Sequence, residues 1–274
     1  MRHAFWSLVT LASAIACAFL LLPIAALFLR VSPGTLASQL GSDVARDALV
    51  VSVKTSLIAH AGVLLLGTPA AYLLARHRFR GKALVLTLVE LPLVLPPAVA
   101  GIALFAAYGR LGLLGGTLSA LGITIPLTQT AVVFAVAFVE SPFYLRGAIA
   151  AFEAVDGTFL EAARTLGAGP ARVFARVALP LAAGGLAASS NLALARGLGE
   201  FGATVIFAGS LQGVTQTLPL AIYAQFDQNF DVALAISALF VLIGAALLLT
   251  TRLIPAWTRY SSISLFRFAR STSS

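Results

Sequence analysis

Residues 158–180, TFLEAARTLGAGPARVFARVALP, are the stretch that says most about the fold, because they predict two short helices joined by a sharp break. Thr158, followed three residues later by Glu161, predicts a capping box at the start of the first helix. Gly167 suits the left-handed conformation just past a helix end, and Pro170 suits the first position of the next helix. The first of these helices is too polar for lipid, yet it is more regular than a plain connection needs.

Long apolar runs flank this stretch on both sides. A helix needs about 20 mainly apolar residues to cross a bilayer, and six segments of the chain meet this requirement. They are residues 6–29, 49–74, 84–107, 127–145, 177–198 and 232–254. The 274 residues are 59% hydrophobic and 10% charged, whereas soluble domains are about 45–50% apolar and about 25% charged. We therefore predict an all-α, polytopic membrane protein with about six transmembrane helices, in which residues 1–274 form a single transmembrane domain.

The basic residues predict how the chain is oriented. A net charge of +8 would by itself suit a nucleic-acid or anion-binding protein. Most of the 18 Lys and Arg residues, however, lie in four places that the six spans put on one side of the membrane: Arg2, residues 76–82, residues 146–176 and residues 252–270. Cytoplasmic loops carry such an excess of basic residues. We expect both termini in the cytoplasm, contact with membrane lipid, and no nucleic-acid partner.

Residues 158–180 resemble the coupling loop of ABC importer permeases. The pattern of that loop is E-A-A, three residues, G, nine residues, then I, any residue, L-P. The matching residues are Glu161, Ala162, Ala163, Gly167, Leu179 and Pro180, with Val177 in place of the isoleucine. The resemblance implies a type I ABC importer permease fold, in which a cytoplasmic loop at about 153–180 docks its helix in a groove of a separate ATP-hydrolysing subunit. The small side chains of Ala162 and Ala163 would allow the close approach.

Four further segments resemble the molybdate permease branch of that family: residues 91–97, 151–156, 199–204 and 215–223. This resemblance implies a permease that carries molybdate or tungstate across a bacterial inner (plasma) membrane. It also implies the partners: a second permease copy in a homodimer, two ATPase subunits, and a periplasmic or extracellular oxyanion-binding protein. ATP and Mg would be bound by the ATPase subunits, with no cofactor on this chain. The alternative within the family is a sulfate/thiosulfate permease.

The sequence contains no nucleotide-binding, metal-binding or catalytic motif. The only Gly-Lys pair, Gly81-Lys82, is followed by Ala83 and lacks the upstream glycine of a phosphate-binding loop. The three histidines and Cys17 show no metal-binding pattern, so we predict neither catalytic residues nor metal ligands, and no enzyme activity. An ion-coupled carrier or a channel is the alternative from another class. A carrier would have paired charges at the membrane midplane and no coupling loop.

Prolines and glycines mark the candidate pathway. Pro92, Pro96 and Pro97 would break the third span, and broken helices are tolerated where they face protein or a cavity. We therefore predict that this segment lines the translocation path or packs at the permease dimer interface; the alternative is an ordinary kink in a peripheral helix. Residues 199–223 are rich in glycine and broken by a proline. Their predicted role is an external gate and docking surface for the binding protein, and the alternative is a surface loop without a role. The gate candidates are Gly199, Glu200, Gly202 and Gly209.

Ionisable residues at membrane depth are functional candidates by default. Arg196 and Glu200 are spaced i,i+4, so on a continuous helix they could pair with each other, and the alternative is contact with the substrate. Glu140 would lie near the cytoplasmic end of the fourth span, within reach of water. Glu90 would lie close to a membrane boundary.

Overall fold

The structure, a computed structural model, describes the backbone of residues 2–270 and the side chains of residues 5–250. Within that backbone every regular element is helical. The helices are α1 (Arg2–Arg30), α2 (Pro33–Leu40), α3 (Asp43–Arg76), α4 (Lys82–Glu90), α5 (Pro97–Tyr108), α6 (Gly115–Ala120), α7 (Gln129–Glu153), α8 (Gly157–Thr165), α9 (Pro170–Val173), α10 (Leu179–Leu198), α11 (Gly202–Phe207), α12 (Leu218–Phe226) and α13 (Phe230–Arg270). Arg2 and the basic residues at 252–270, which support the predicted orientation, lie outside the residues whose side chains are described.

Within the described residues, six passages run between the two ends of the bundle when the bent pair α4 and α5 is counted as one. Five are single helical runs long and apolar enough to cross a membrane: α1, α3, α7, the run Pro170–Leu198, and α13 as far as Thr250. The sixth consists of α4 and α5 together. Lys82 at the start of α4 pairs with Glu153 at the end of α7, at 3.7 Å. Tyr108 at the end of α5 packs on Phe134 in the first turns of α7, with 5.0 Å between ring centroids. This agrees with the six spans predicted from the sequence.

The third span, predicted over residues 84–107 with a break at its prolines, is divided into two separate helices, so the break is complete rather than a local interruption. A 3-10 turn, Leu91–Leu93, ends α4, and the axes of the two halves differ by 113°. Pro96 is held in an extended conformation (φ −54°, ψ 137°) because the following Pro97 disfavours the helical region, and Pro97 then begins α5. The prolines therefore produce a complete break, which we call the elbow (residues 91–97).

The fourth span also differs from its prediction. Residues 127–145 were expected, but α7 continues to Glu153. Glu140 consequently lies near the middle of the helix and is fully buried, rather than near a wet end. The extra turns contain Arg146 and Gly147, and one apolar face packs inside the bundle, so the helix does not stop where its sequence becomes less apolar.

Small residues bring α7 and α10 close together. A Cβ placed on Gly147 would lie 2.7 Å from the Cβ of Ser189, and one on Gly185 would lie 2.6 Å from the Cβ of Ala151. Association of helices in lipid depends on close packing and interhelical hydrogen bonds, since lipid is as apolar as the side chains. These glycines therefore set the distance between the two helices.

The basic loops lie together at one end of the bundle, which we call the basic end. Arg76, at the end of α3, donates a hydrogen bond to the carbonyl of Val155 at 2.7 Å. The opposite end contains residues 199–217, where the Leu127 N–H donates to the Phe207 carbonyl at 3.3 Å and Gln212 donates to Asp47 at 3.2 Å. The expectation that residues 76–82 and the loop after α7 share a side is therefore met.

Gly101→Ala should destabilise the protein, because α5 and α11 are in contact at this glycine. An added Cβ would lie 2.8 Å from the Ile206 Cβ and 3.0 Å from the Ala203 carbonyl oxygen. Overpacking of this kind costs about 1–3 kcal/mol. Thermal unfolding in detergent should show a lower Tm for Gly101→Ala and an unchanged or slightly higher Tm for Gly116→Ala, whose added Cβ meets nothing within 4 Å. Equal unfolding of the two variants would contradict this packing.

Candidate functional site

The helix α8 begins with a different cap from the one predicted. A carboxylate oxygen of Asp156 accepts a hydrogen bond from the Thr158 N–H at 2.9 Å, so Asp156 is the N-cap and Thr158 lies inside the helix. The capping box of Thr158 and Glu161 is therefore wrong. An aspartate caps a helix well and adds a favourable charge at the positive end of the helix dipole. The hydrogen bond from Thr158 in turn lowers the pKa of the Asp156 carboxyl.

The end of α8 is the one that the sequence predicts. Gly167 has φ +81°, in the left-handed region. Its N–H donates to the Arg164 carbonyl at 2.9 Å, and the N–H of Ala168 donates to the Ala163 carbonyl at 3.0 Å. This pair of bonds is a Schellman motif, which satisfies the last carbonyls of the helix. Pro170 is the first residue of α9, as predicted.

One face of α8 is apolar and exposed although the helix as a whole is polar. Phe159 and Leu166 are 57% and 88% exposed, and Ala162 lies exposed between them. The spacing i, i+3, i+7 puts these three side chains on one side of a helix. Leu160, on another side, is buried in the core and holds the helix against the bundle. Sequence reasoning identified the alanine but missed Phe159 and Leu166, although their spacing on a helix outside lipid was a usable signal.

The other residues of the coupling pattern lie around this exposed face. Glu161 is exposed, and Ala163 is half-buried against the core. Leu179 and Pro180 lie beyond α9, where they begin α10. Four of the six residues are therefore exposed: Glu161, Ala162, Gly167 and Pro180.

A wide turn joins α9 to α10. Residues Phe174–Ala178 form one π-helical turn, closed by a hydrogen bond from the Leu179 N–H to the Phe174 carbonyl. Pro180 explains the widening, because it has no N–H and its ring would collide with the carbonyl of residue 176 in a regular α-helix. The Phe174 ring packs on Tyr72 of α3, with 4.9 Å between ring centroids. This contact anchors the segment to the bundle.

The elbow and the gate candidates meet at one point. Gly202 lies directly against Pro97, and an added Cβ would overlap the proline ring. Pro92 is half-buried and Pro96 exposed, and neither contacts the gate segment in this way. Val94, between them, is 81% exposed. The described part of the chain therefore leaves the outer side of the elbow uncovered.

Glu200 connects α10 to α11. One carboxylate oxygen accepts from the Ala203 N–H at 2.8 Å, and the other pairs with Arg196 at 3.2 Å, as the i,i+4 spacing predicts. Gly199 ends α10. Gly209 has φ +70° and lies beside Leu127, which also has a positive φ of 62°. Glu200 thus has two local partners and a structural explanation.

A buried polar cluster in the middle of the bundle was missed. The His60 ring contacts the Glu140 carboxylate through Nδ1, and its Nε2 is hydrogen-bonded to the Ser190 hydroxyl at 2.8 Å. A pair of ionisable residues in mid-bundle resembles one of the two features expected of an ion-coupled carrier, paired charges at the midplane; the other, a chain without a coupling loop, does not agree with α8. Among the described side chains, no three His, Cys, Asp or Glu residues gather as a metal site would require.

The chain is similar to proteins of known class. Residues 65–260 match the family model described as the binding-protein-dependent transport system inner membrane component. A Mycobacterium tuberculosis protein named molybdenum transport system permease protein ModB is 44% identical over 84% of this chain and 88% of its own length. An Escherichia coli K12 protein of the same name is 43% identical over 65% of this chain and 78% of its length.

Among solved structures, the fold resembles a chain of a bacterial alginate ABC transporter crystallised in complex with an alginate-pentasaccharide-bound periplasmic protein. The TM-score is 0.69 at 15% identity, covering 91% of this chain and 93% of the other. At this identity the likeness concerns the fold alone.

Gly167→Ala should loosen the end of α8. A left-handed conformation costs a residue with a Cβ about 1–2 kcal/mol. Digestion of the purified protein with trypsin should therefore be faster after Arg164, by about fivefold. Gly169→Ala is the matched control, because Gly169 has φ −68° and its added Cβ meets nothing within 4 Å. Equal digestion rates for the two variants would argue against a strained break at residue 167.

Proposed function

Because this chain belongs to the family of binding-protein-dependent transport system inner membrane components, we propose that it is the permease subunit of an ABC importer that carries molybdate or tungstate into the cytoplasm. It is a multi-pass membrane protein and a transport component rather than an enzyme. The molybdenum transport names of relatives about 44% identical over most of the chain support the substrate.

The observation that carries the proposal is the exposed face of α8. Phe159, Ala162 and Leu166 present apolar surface on a helix that also exposes Glu161 and Arg164, so lipid is an unsuitable environment. Exposed apolar surface rimmed by polar residues is typical of a protein–protein interface. The occupant we propose is a separate ABC ATPase subunit, which binds ATP and Mg, whereas this chain binds no cofactor. The basic end is then cytoplasmic, as are both termini.

The mechanism follows from two states of the membrane domain. In our proposal two copies of the permease pair, and each copy holds one ATPase subunit on α8. ATP binding draws the two ATPase subunits together, moves both α8 helices inward and opens the path to the outside; hydrolysis reverses the motion. A ligand shifts such an equilibrium only through contacts that differ between the states. The α8 interface supplies those contacts on the cytoplasmic side.

The opposite end of the bundle would receive the ion. We propose that Gly199, Glu200, Gly202 and Gly209 belong to the external gate, and that the surface around them docks the oxyanion-binding protein. The contact between Pro97 and Gly202 supports this role, since it connects the gate to the elbow. Pro92, Pro96 and Pro97 would line the path or the dimer interface. Weak contacts with hydroxyls and backbone groups suit an ion that must also leave.

Two alternatives remain for the same chain. A sulfate/thiosulfate permease differs only in the ion, and an ion-coupled carrier or channel is favoured by the His60–Glu140 pair. Both are tested in liposomes that contain the permease, the ATPase subunit and the binding protein. We expect uptake of molybdate that requires ATP, with tungstate competing more strongly than sulfate. Preferential sulfate uptake would select the first alternative, and uptake without the ATPase subunit would select the second.

Phe159→Ala should weaken binding of the ATPase subunit. We expect Phe159 to be a hot spot of the interface, and truncation of a hot-spot residue costs at least about 2 kcal/mol, which is more than tenfold in Kd. The measurement is ATPase-subunit binding to the purified permease, with Leu166→Asp as a second variant. Phe226→Ala is the control, because Phe226 is similarly exposed, at 58%, but lies at the opposite end. Unchanged affinity for both α8 variants would contradict docking at this face.

Cysteines in the elbow should test its place in the assembly. In a Cys17→Ser background, Val94→Cys and Ala98→Cys put thiols on exposed positions. A disulfide needs Cα atoms within about 7 Å of each other. Oxidation of native membranes should therefore give covalent dimers if the elbow lies at the dimer interface, and the yield should change when the binding protein and molybdate are added. Leu66→Cys, on the exposed side of α3, is the control. No dimer and no effect of the substrate would leave only a peripheral kink.

A further inference from the structure

The cluster of His60, Glu140 and Ser190 is the feature that the proposed function leaves unused. Its three residues belong to α3, α7 and α10, and each lies well inside its helix. Glu140 is fully buried, and the His60 side chain is 12% exposed. Ionisable side chains at such depth are costly unless they are paired, so their presence calls for an explanation.

The cluster connects α10, the helix that follows the coupling segment (residues 153–180), with α3 and α7. The run Pro170–Leu198 follows α8 after a short break, so a displacement of α8 acts on α10 first. Ser190 contributes the α10 hydroxyl, and His60 passes the contact on to the Glu140 carboxylate of α7. One imidazole thus joins three helices through both of its nitrogens.

Shape as well as hydrogen bonding ties α10 to Glu140. The second carboxylate oxygen of Glu140, Oε2, is buried and faces Gly197, and it has no hydrogen-bond partner among the side chains and backbone that the structure describes. A Cβ on Gly197 would lie 2.6 Å from that oxygen and 3.1 Å from a Val136 methyl group. An alanine at this position would require the Glu140 carboxylate or α10 to shift. The approach is therefore specific to this pair of residues.

We propose that His60, Glu140 and Ser190 are positioning residues that make α3, α7 and α10 move as one body, so that motion of α8 reaches the gate. We call this cluster the polar junction. The inference rests on the proposed function, because it assumes that a motor displaces α8. Without the junction, α10 slides against α3 and α7, and ATP hydrolysis continues without matching transport.

The test uses the full complex in liposomes and measures ATP hydrolysis and oxyanion uptake in parallel. Ser190→Ala removes the α10 hydroxyl from the junction. Loss of one partner of a buried hydrogen bond shifts an equilibrium by about tenfold, so the number of ions taken up per ATP should fall by about that factor. Ser189→Ala is the matched control, since its hydroxyl donates only to the Gly185 carbonyl of the same helix, at 2.7 Å.

Gly197→Ala disturbs the junction from the other side, and it should lower the same ratio. Gly184→Ala, on the same helix, is its control, because the added Cβ meets nothing within 4 Å. Glu140→Gln keeps the hydrogen-bonding shape and should retain most of the coupling, whereas Glu140→Ala should lose it. In the double variant of Glu140→Ala and Gly197→Ala, the second change should cost less than it does in the wild type, since the Glu140 oxygen is gone and only the Val136 contact remains.

The outcomes separate the two proposals. If Ser190→Ala and Gly197→Ala keep the ratio of their controls, the junction is overturned while wild-type uptake still supports the importer. If the wild-type complex takes up no oxyanion, the proposed function fails. In that case the contact between Glu140 and Gly197 is tested by thermal unfolding of the purified permease. If Glu140→Ala and Gly197→Ala lower its stability additively, the contact, and with it the polar junction, is overturned.

Discussion

The close packing of α7 against its neighbours is the constraint on which the rest of the structure depends. In lipid, apolar side chains gain little by leaving one apolar environment for another, so helices associate through fitted surfaces and interhelical hydrogen bonds. Gly147 and Gly185 let α7 and α10 approach, and Gly67 lets α3 approach the Tyr144 ring. The distances between the helices then constrain where the loops at both ends can lie. The coupling segment and the gate segment are both positioned by the same central helix.

The cost of backbone polar groups in lipid explains the two irregular passages. At the elbow, three prolines remove N–H donors, and the chain turns by 113° and rests α5 on α11. Before α10, Pro180 removes one donor, and a single π-helical turn absorbs the change. Both irregularities lie next to segments to which we assign a role, the gate in one case and the coupling segment in the other. Broken helices of this kind belong where protein or a cavity, rather than lipid, surrounds them.

The candidate docking site is small, and its position is fixed by the core residues against which α8 packs. Leu160 is buried, and Phe174 packs against Tyr72, so α8 and the following turn are held to the bundle at two points. The exposed side of α8 is left free for a partner. Because α8 is packed against the bundle, a displacement of α8 moves the bundle with it, whereas a loose loop would move alone. The polar junction continues this anchoring into the bundle. Among the described side chains, the contact of His60 with Glu140 is the only ion pair that joins two of the helices α3, α7 and α10.

Features encoded in short stretches were predictable. The apolar runs indicated six spans, Gly167 and Pro170 predicted the break after α8, and the i,i+4 spacing predicted the pair of Arg196 and Glu200. The predicted cap was wrong because Asp156, two residues earlier, accepts the hydrogen bond from the Thr158 N–H and begins the helix. The predicted length of α7 was wrong because tertiary packing extends a helix beyond its most apolar part.

By itself, then, the sequence determined the membrane class, the number of crossings and the shape of the coupling segment, since these depend on hydropathy and on local backbone preferences. Only the tertiary structure decided that His60 meets Glu140, that Pro97 meets Gly202 and which side of α8 is exposed. Those contacts join residues far apart in the chain, and they depend on the rotation and depth of each helix against the next, which no local pattern records.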